Sequence, residues 1–404
     1  MALILLVSKR LATIWTPMRI NTMRHHNSVF HDLLKHVPWA VFDRLVTEHG
    51  SDHRVRRMST KDQFIALLYG QLSGASSLRE IVGGLDSHRS RLYHVGACAV
   101  QRSTLADANA GRPSEVFSEL FTQMVAYAGR GLRRKIGDAT YLIDSTSIHL
   151  SGMGSAWAHF SHKACGAKAH VIYDADAERP IYAAVTPAKV NDITAALTMP
   201  IEAGATYVFD LGYYDFAWWA KLDAAGCRIV TRFKTNAILN VTVELDVPEG
   251  GNILSDHIGL LAKRRSQGRK NPFTDPVREI RVRTDNGKVL RIFCNDLDAP
   301  AQEIAALYKR RWAIELFFRW VKQNLKIRHC LGKSENAVRI QVAVALITFL
   351  LLRLAQETQE AIKSPLAFSR LIRTNLMHRK RIDRLLEPDP TKQKPSNQMA
   401  IQWV

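Results

Sequence analysis

Tyr308, Arg311, Glu315 and Lys322 lie in one uninterrupted stretch, YKRRWAIELFFRWVK. At about 100° per residue they fall at roughly 0°, 300°, 340° and 320° around a helix, inside an arc of about 60°. Such a face sets one carboxylate among two cations and a phenol, groups that can grip phosphate oxygens and hold a cation beside them. Trp312, Ala313, Ile314, Leu316, Phe317 and Phe318 fill the other directions and predict a helix buried in a core. A plainer use of the same residues is an ion-pair ladder, Arg311 to Glu315 and Glu315 to Arg319, as on many ordinary helices.

Two more acids bear on the choice. Thr140-Tyr-Leu-Ile-Asp144, followed by Ser-Thr-Ser, and Ala205-Thr-Tyr-Val-Phe-Asp210, followed by Leu-Gly-Tyr-Tyr-Asp215, each read as a buried strand with a carboxylate at its C-terminal end. Two strand-end aspartates and one helix-borne glutamate can converge on magnesium, which takes oxygen ligands and is often shared with substrate phosphates. Two such ions, about 3.5 to 4 Å apart, can clamp the attacking and leaving oxygens of a phosphodiester.

These residues together resemble the catalytic signature of DDE transposases. The Tyr-x2-Arg-x3-Glu-x6-Lys spacing is similar to the YREK motif of the insertion-sequence 4 group, and the resemblance runs from about Met23 to about Ala355. It implies that Asp144, Asp210 and Glu315 are the catalytic and metal-binding residues, holding two Mg2+ or Mn2+ ions. It further implies cleavage at the element's terminal inverted repeats, transfer of the freed 3′-hydroxyl strand to target DNA, and a homodimer on DNA. Tyr308, Arg311 and Lys322 would lie along DNA, with Arg319 and Lys326 beside them. Two alternatives stay open: a DNA-binding remnant that no longer cuts, and another nuclease with the same core.

Composition agrees with a polyanionic partner. The chain of 404 residues carries 56 Lys and Arg against 37 Asp and Glu, a net charge of +19, and 47% of its residues are hydrophobic. The longest apolar stretch, Val342 to Leu352, falls short of the ~20 residues that span a bilayer, so a buried core helix is expected and no membrane partner. Five scattered cysteines form no C-x-x-C pair and support neither a zinc ribbon nor a disulfide framework; a bacterial cytoplasmic setting fits. His159, His162 and His170 lack partner cysteines. Asp174, Asp192 and Asp215 read as caps or turn residues, and Ser145, Thr146 and Ser147 as support for the Asp144 loop.

The elements that must position the acids follow in order. Residues 1–22 read as an over-extended start and 23–137 as an all-α N-terminal domain with N-cap signals at Ser59 and Ser76-Ser77; the resemblance makes it a DNA-binding domain, in which Arg54, Arg56, Arg57, Lys61 and Arg102 are either phosphate contacts or solvated basic residues on a helical scaffold. From 138 to 235 the pattern is strand-like, at 140–144, 167–174, 180–186, 205–210 and 227–233, with helices at 192–199 and 214–225. Given the resemblance, this is an α/β catalytic core of ribonuclease H-like type, whose first and fourth strands are neighbours. Residues 236–299 alternate like a β-rich insertion, with a hairpin turning at Asp285-Asn-Gly287 and a basic run, including Lys263, Arg264 and Arg265, that could lie along DNA. The core resumes at 300–361 with a single catalytic helix, 301–325, and a buried helix from Ser334. Residues 362–404 form a basic tail expected to be partly disordered.

Overall fold

The computed structural model describes residues 27–129, 139–150, 156–161, 164–247, 250–263, 270–325, 327, 330–359 and 361–386. The chain begins with six helices: α1 (Val29–Leu34), α2 (Trp39–Glu48), α3 (Thr60–Ser73), α4 (Leu78–Ser87), α5 (Arg102–Gly111) and α6 (Glu115–Gly129). Ser59 starts α3 with a reciprocal capping box to Asp62, and the Ser77 hydroxyl accepts from the Glu80 amide at the start of α4. Gly74 closes α3 in the left-handed region at φ 79°, where a side chain would be strained.

Ten strands form one sheet: β1 (Thr140–Leu150), β2 (His159–Ser161), β3 (Ala164–Asp174), β4 (Arg179–Pro187), β5 (Thr206–Phe209), β6 (Arg228–Arg232), β7 (Leu239–Leu245), β8 (Ile253–Leu261), β9 (Val277–Arg283) and β10 (Val289–Cys294). Their order is β2-β3-β1-β5-β6-β10-β9-β8-β7, with β4 also on β3. β1 pairs antiparallel with β3 and parallel with β5, so first and fourth core strands are neighbours. The segment 236–299 is β-rich as expected, but it continues this sheet, because β10 pairs antiparallel with β6. Its outermost strand, β7, exposes Val241 and Val243.

Alternate residues of each strand face opposite sides, and both sides are covered. On one, Ile143, Phe209 and Phe293 pack with Trp218 and Trp219 of α8 (Phe216–Ala224), beside the short α7 (Asp192–Ala196). On the other, Leu142 and Val171 join a core that runs without interruption into the N-terminal helices.

Two sequence expectations are corrected here. The predicted single helix 301–325 is two, α9 (Ala301–Arg310) and α10 (Trp312–Asn324). At their junction the Arg311 amide donates to Tyr308 O and the Ile314 amide to Arg311 O, i→i+3 bonds that mark a tight turn between the two helices. That turn packs Phe317 against Tyr173 of β3 and Phe349. Second, only one stripe of α10 is buried, by Ile314, Phe317, Phe318 and Val321; Trp312 and Leu316 are 51% and 46% exposed, because none of the described residues covers that side of the helix. The segment read as a basic tail opens with a helix, α12 (Pro365–Asn375), which buries Phe368 and Ile372 against α3 and the long helix α11 (Glu335–Glu357); its end, where disorder is expected, lies outside the described residues.

α11 outruns its apolar stretch. It is long and apolar enough by composition to cross a membrane, yet 83% of its most apolar window is buried inside the protein. It packs against α3, α5, α6 and α12, which makes it the core helix of the N-terminal bundle, and against β4 of the sheet.

Candidate active site

Parallel pairing of β1 and β5 ends at Ile143 opposite Phe209, so Asp144 and Asp210 are the next residues on adjacent strands. Asp210 leaves its strand as expected. Asp144 does not: β1 continues to Leu150, held by β3 alone, and the aspartate sits mid-strand. Each carboxylate is oriented by a backbone amide, Asp144 Oδ1 by Ser145 N at 2.8 Å and Asp210 Oδ1 by Gly212 N at 2.8 Å.

Glu315 approaches through a cation. Arg311 Nη2 donates to Glu315 Oε1 at 2.6 Å, and Arg311 Nη1 stands 3.7 Å from Asp144 Oδ2. The Arg311 guanidinium also lies 5.9 Å from the Tyr308 ring, which is buried. Glu315 thus pairs backward with Arg311, while Arg319 is exposed. Lys322 lies seven residues beyond Glu315 on the same face of α10, half-buried. Lys263 is exposed at the end of β8. Lys326, Arg264 and Arg265 lie outside the described residues, as do the side chains of His159 and His162.

Burial pushes the Asp144 carboxyl up to about 6, and Asp210 and Glu315 push the same way against the Ser145 amide and Arg311. Burial acts against the Arg311 charge as well, but Tyr308, Glu315 and Asp144 outweigh it and raise its pKa. The site is therefore acidic and partly withdrawn from solvent, with the Arg311 guanidinium as its counter-charge. Its oxygen donors suit a hard divalent cation. Among the described residues, no three His, Cys, Asp or Glu side chains are gathered closely enough to ligate one ion together, and the Arg311 guanidinium lies between Asp144 and Glu315.

The other acids divide. Asp174 Oδ1 accepts from the amides of Asp176 and Ala177, and Asp215 caps α8 through the amides of Ala217 and Trp218, both structural duties. Asp192 instead reaches the site: its Oδ1 accepts from Ser145 Oγ at 2.9 Å and Lys168 Nζ at 3.0 Å. Behind it the buried His170 bonds Thr186 Oγ1, and burial holds its imidazole down at about 4, hence neutral. Sequence reading missed Lys168. Its signal was the alternation of Lys168 and His170 with Ala167, Ala169 and Val171, which marks one polar face on an otherwise apolar strand.

Residues 136–351 match the family model described as the transposase DDE domain. The chain belongs to the DDE transposase family. This transposase also matches a domain of unknown function over residues 25–98. It is 39% identical over 290 residues, 71% of the chain and 80% of the relative, to a Sinorhizobium fredii protein described as transposase y4zB. It is 27% identical over 65% of the chain and 69% of the relative to a Geobacillus stearothermophilus protein named for insertion sequence element IS5377. A Synechocystis protein named for insertion sequence element IS4SA is 34% identical over 38% of the chain and 42% of its own length. Among solved structures, the piggyBac transposase synaptic complex with hairpin DNA aligns over 90% of this chain and 81% of that one, with a TM-score of 0.43 and 11% identity.

Proposed function

We propose that this protein mobilises a bacterial insertion sequence in the cytoplasm, binding the element's terminal inverted repeats, cleaving phosphodiesters there and transferring the 3′-hydroxyl strand to target DNA as a homodimer on DNA. The observation that carries the reading is the adjacency of Asp144 and Asp210 at the end of the β1–β5 pair, with Glu315 tied toward Asp144 through Arg311. The order β4-β3-β1-β5-β6, three antiparallel strands and then two parallel ones, supports a ribonuclease H-like core at 138–235 and 300–361. Residues 236–299 are then its β-rich insertion and 23–137 its DNA-binding domain.

In this reading Asp144, Asp210 and Glu315 hold Mg2+ or Mn2+, two ions per site. Bound there, the cations supply Lewis-acid stabilisation of charge on the attacking and leaving oxygens. The chain supplies the positioning. Arg311 takes a phosphate in the plane of its guanidinium, Lys322 adds a point charge, and the Tyr308 hydroxyl reaches the same strand. Exposed Arg319 and Lys263, with Arg264, Arg265 and Lys326, extend the basic track that holds DNA.

The test is a labelled duplex carrying the element's own end, incubated with Mg2+ or Mn2+ and with wild type, Asp144→Ala, Asp210→Ala or Glu315→Gln. End-specific cleavage lost in each variant with binding retained supports the reading. Binding without cleavage in the wild type makes the protein a remnant, and cleavage that survives the Glu315 change puts the third carboxylate elsewhere.

A further inference from the structure

We infer that Asp192 is a positioning residue for the catalytic aspartates, clamping together the two residues whose backbone amides aim Asp144 and Asp210. The inference rests on the three-carboxylate reading above. Asp144 Oδ1 is oriented by the Ser145 amide and Asp210 Oδ1 by the Gly212 amide, each at 2.8 Å. Asp192 bonds the first of these residues and lies close beside the second. Its Oδ1 takes the Ser145 hydroxyl at 2.9 Å, while its Oδ2 lies 3.0 Å from where a side chain on Gly212 would begin. Asp210 Oδ1 lies 3.0 Å from the same point, so a methyl group on Gly212 would crowd both carboxylates and push them aside by a few tenths of an ångström.

Ser145 lies within β1 and Gly212 in the turn after β5, and what Asp192 fixes is their relative position. Across this gap the parallel ladder gives no backbone hydrogen bond, since it stops at Ile143 and Phe209. Asp192 is itself held. Lys168 Nζ donates to its Oδ1 at 3.0 Å and to the Val190 carbonyl at 3.1 Å, which neutralises the carboxylate and anchors the start of α7 to β3. A neutralised, immobile acid suits a geometric role: it sets the spacing of the reactive pair without adding unbalanced charge to it.

Asparagine keeps the carbonyl that accepts from Ser145 and nearly the same shape, whereas alanine removes the clamp. The experiment therefore measures Mn2+ binding by electron paramagnetic resonance without DNA, and the Mn2+ concentration giving half-maximal end cleavage, for wild type, Asp192→Asn, Asp192→Ala and Ser145→Ala. Melting temperature is recorded alongside. Asp192→Ala is expected to raise both midpoints at least tenfold, Ser145→Ala to raise them less, and Asp192→Asn to stay within threefold of wild type. If Asp192→Ala lowers only the melting temperature and leaves both midpoints in place, the clamp is ordinary structure and the inference is overturned. If Asp192→Asn is as damaged as Asp192→Ala, Asp192 is a ligand and not a positioning residue. Should wild-type Mn2+ binding survive Asp144→Ala and Asp210→Ala unchanged, the three-carboxylate reading itself fails and takes the clamp with it.

Discussion

Arg311 Nη1 stands 3.7 Å from Asp144 Oδ2 while the other arm of the same guanidinium holds Glu315. The side chain proposed to grip a phosphate is thereby engaged with the carboxylates proposed to hold cations. The two occupations compete, because a guanidinium and a divalent ion repel across a few ångströms.

Arg311→Gln is accordingly expected to bind Mn2+ more tightly than wild type in the absence of DNA. A repulsion of about 1 kcal/mol, moderate for charges near a protein surface, corresponds to about fivefold in affinity. The same variant is expected to cleave about 100-fold more slowly, having lost a donor aimed at the reacting phosphate. Titration calorimetry and single-turnover cleavage read the two effects separately, and weaker metal binding in the variant would remove the competition argument.

The raised pKa of Asp144 carries a pH dependence. An ordinary aspartate titrates near 4 in the unfolded chain, so between pH 4 and 6 the folded state holds the extra proton. Stability from this group is full below pH 4 and is lost as pH rises through about 6. The loss, over roughly two pKa units, is of the order of 3 kcal/mol. Asp144→Asn cannot ionise, so in EDTA it is expected to overtake the wild type in stability between pH 4.5 and 7.5. Urea unfolding at the two pH values checks this; parallel shifts of both proteins would contradict it.

Much of this site was legible in the sequence because it rests on local rules. Phe209 and Asp210, the YREK spacing, the Ser59 capping box and the hairpin at Asp285-Asn-Gly287 each follow from a few neighbouring residues. What escaped depends on tertiary packing. The break at Arg311 shows only in the folded chain, as i→i+3 bonds at the junction, and no residue near it is Gly or Pro to signal it. Trp312 and Leu316 look like core residues by type, yet which apolar stripe is covered depends on distant elements. Lys168 and Asp192 are far apart in the chain, and only the β3–β4 fold brings them together.

One buried ion pair connects the β-rich segment to the start of α9. Arg278 of β9 makes a two-pronged bond to Asp256 of β8 at 2.8 and 2.6 Å, and its remaining arm donates to Ala299 O just before α9. Both side chains are almost wholly buried. Removing one partner strands the other charge, so Arg278→Ala and Asp256→Ala are each expected to cost about 3 to 5 kcal/mol in urea unfolding. The double change Arg278→Met, Asp256→Leu leaves no charge and is expected to recover most of that loss. Failure to recover would mean that the bond to Ala299, and not the ion pair, carries the stability.

The N-terminal bundle offers a separate test of DNA contact. His53, Arg54, Val55, Arg56 and Arg57 form an exposed loop between α2 and α3, with Arg54 in the left-handed region at φ 58°. Arg112 beside them is buried and spent on Gln63 and the Met58 carbonyl, and Lys61 lies over the Trp39 ring, so neither resembles the loop arginines in its freedom to reach outward. If Arg54, Arg56 and Arg57 each meet one phosphate, each displaces counterions on binding duplex DNA. The slope of log affinity against log salt then becomes shallower by about 0.9 for each arginine replaced, or nearly 3 for the triple glutamine variant. Fluorescence anisotropy with the end duplex at several salt concentrations measures this slope. A triple variant that binds more weakly with an unchanged slope would show that the loop supports the fold and leaves the phosphates to other residues.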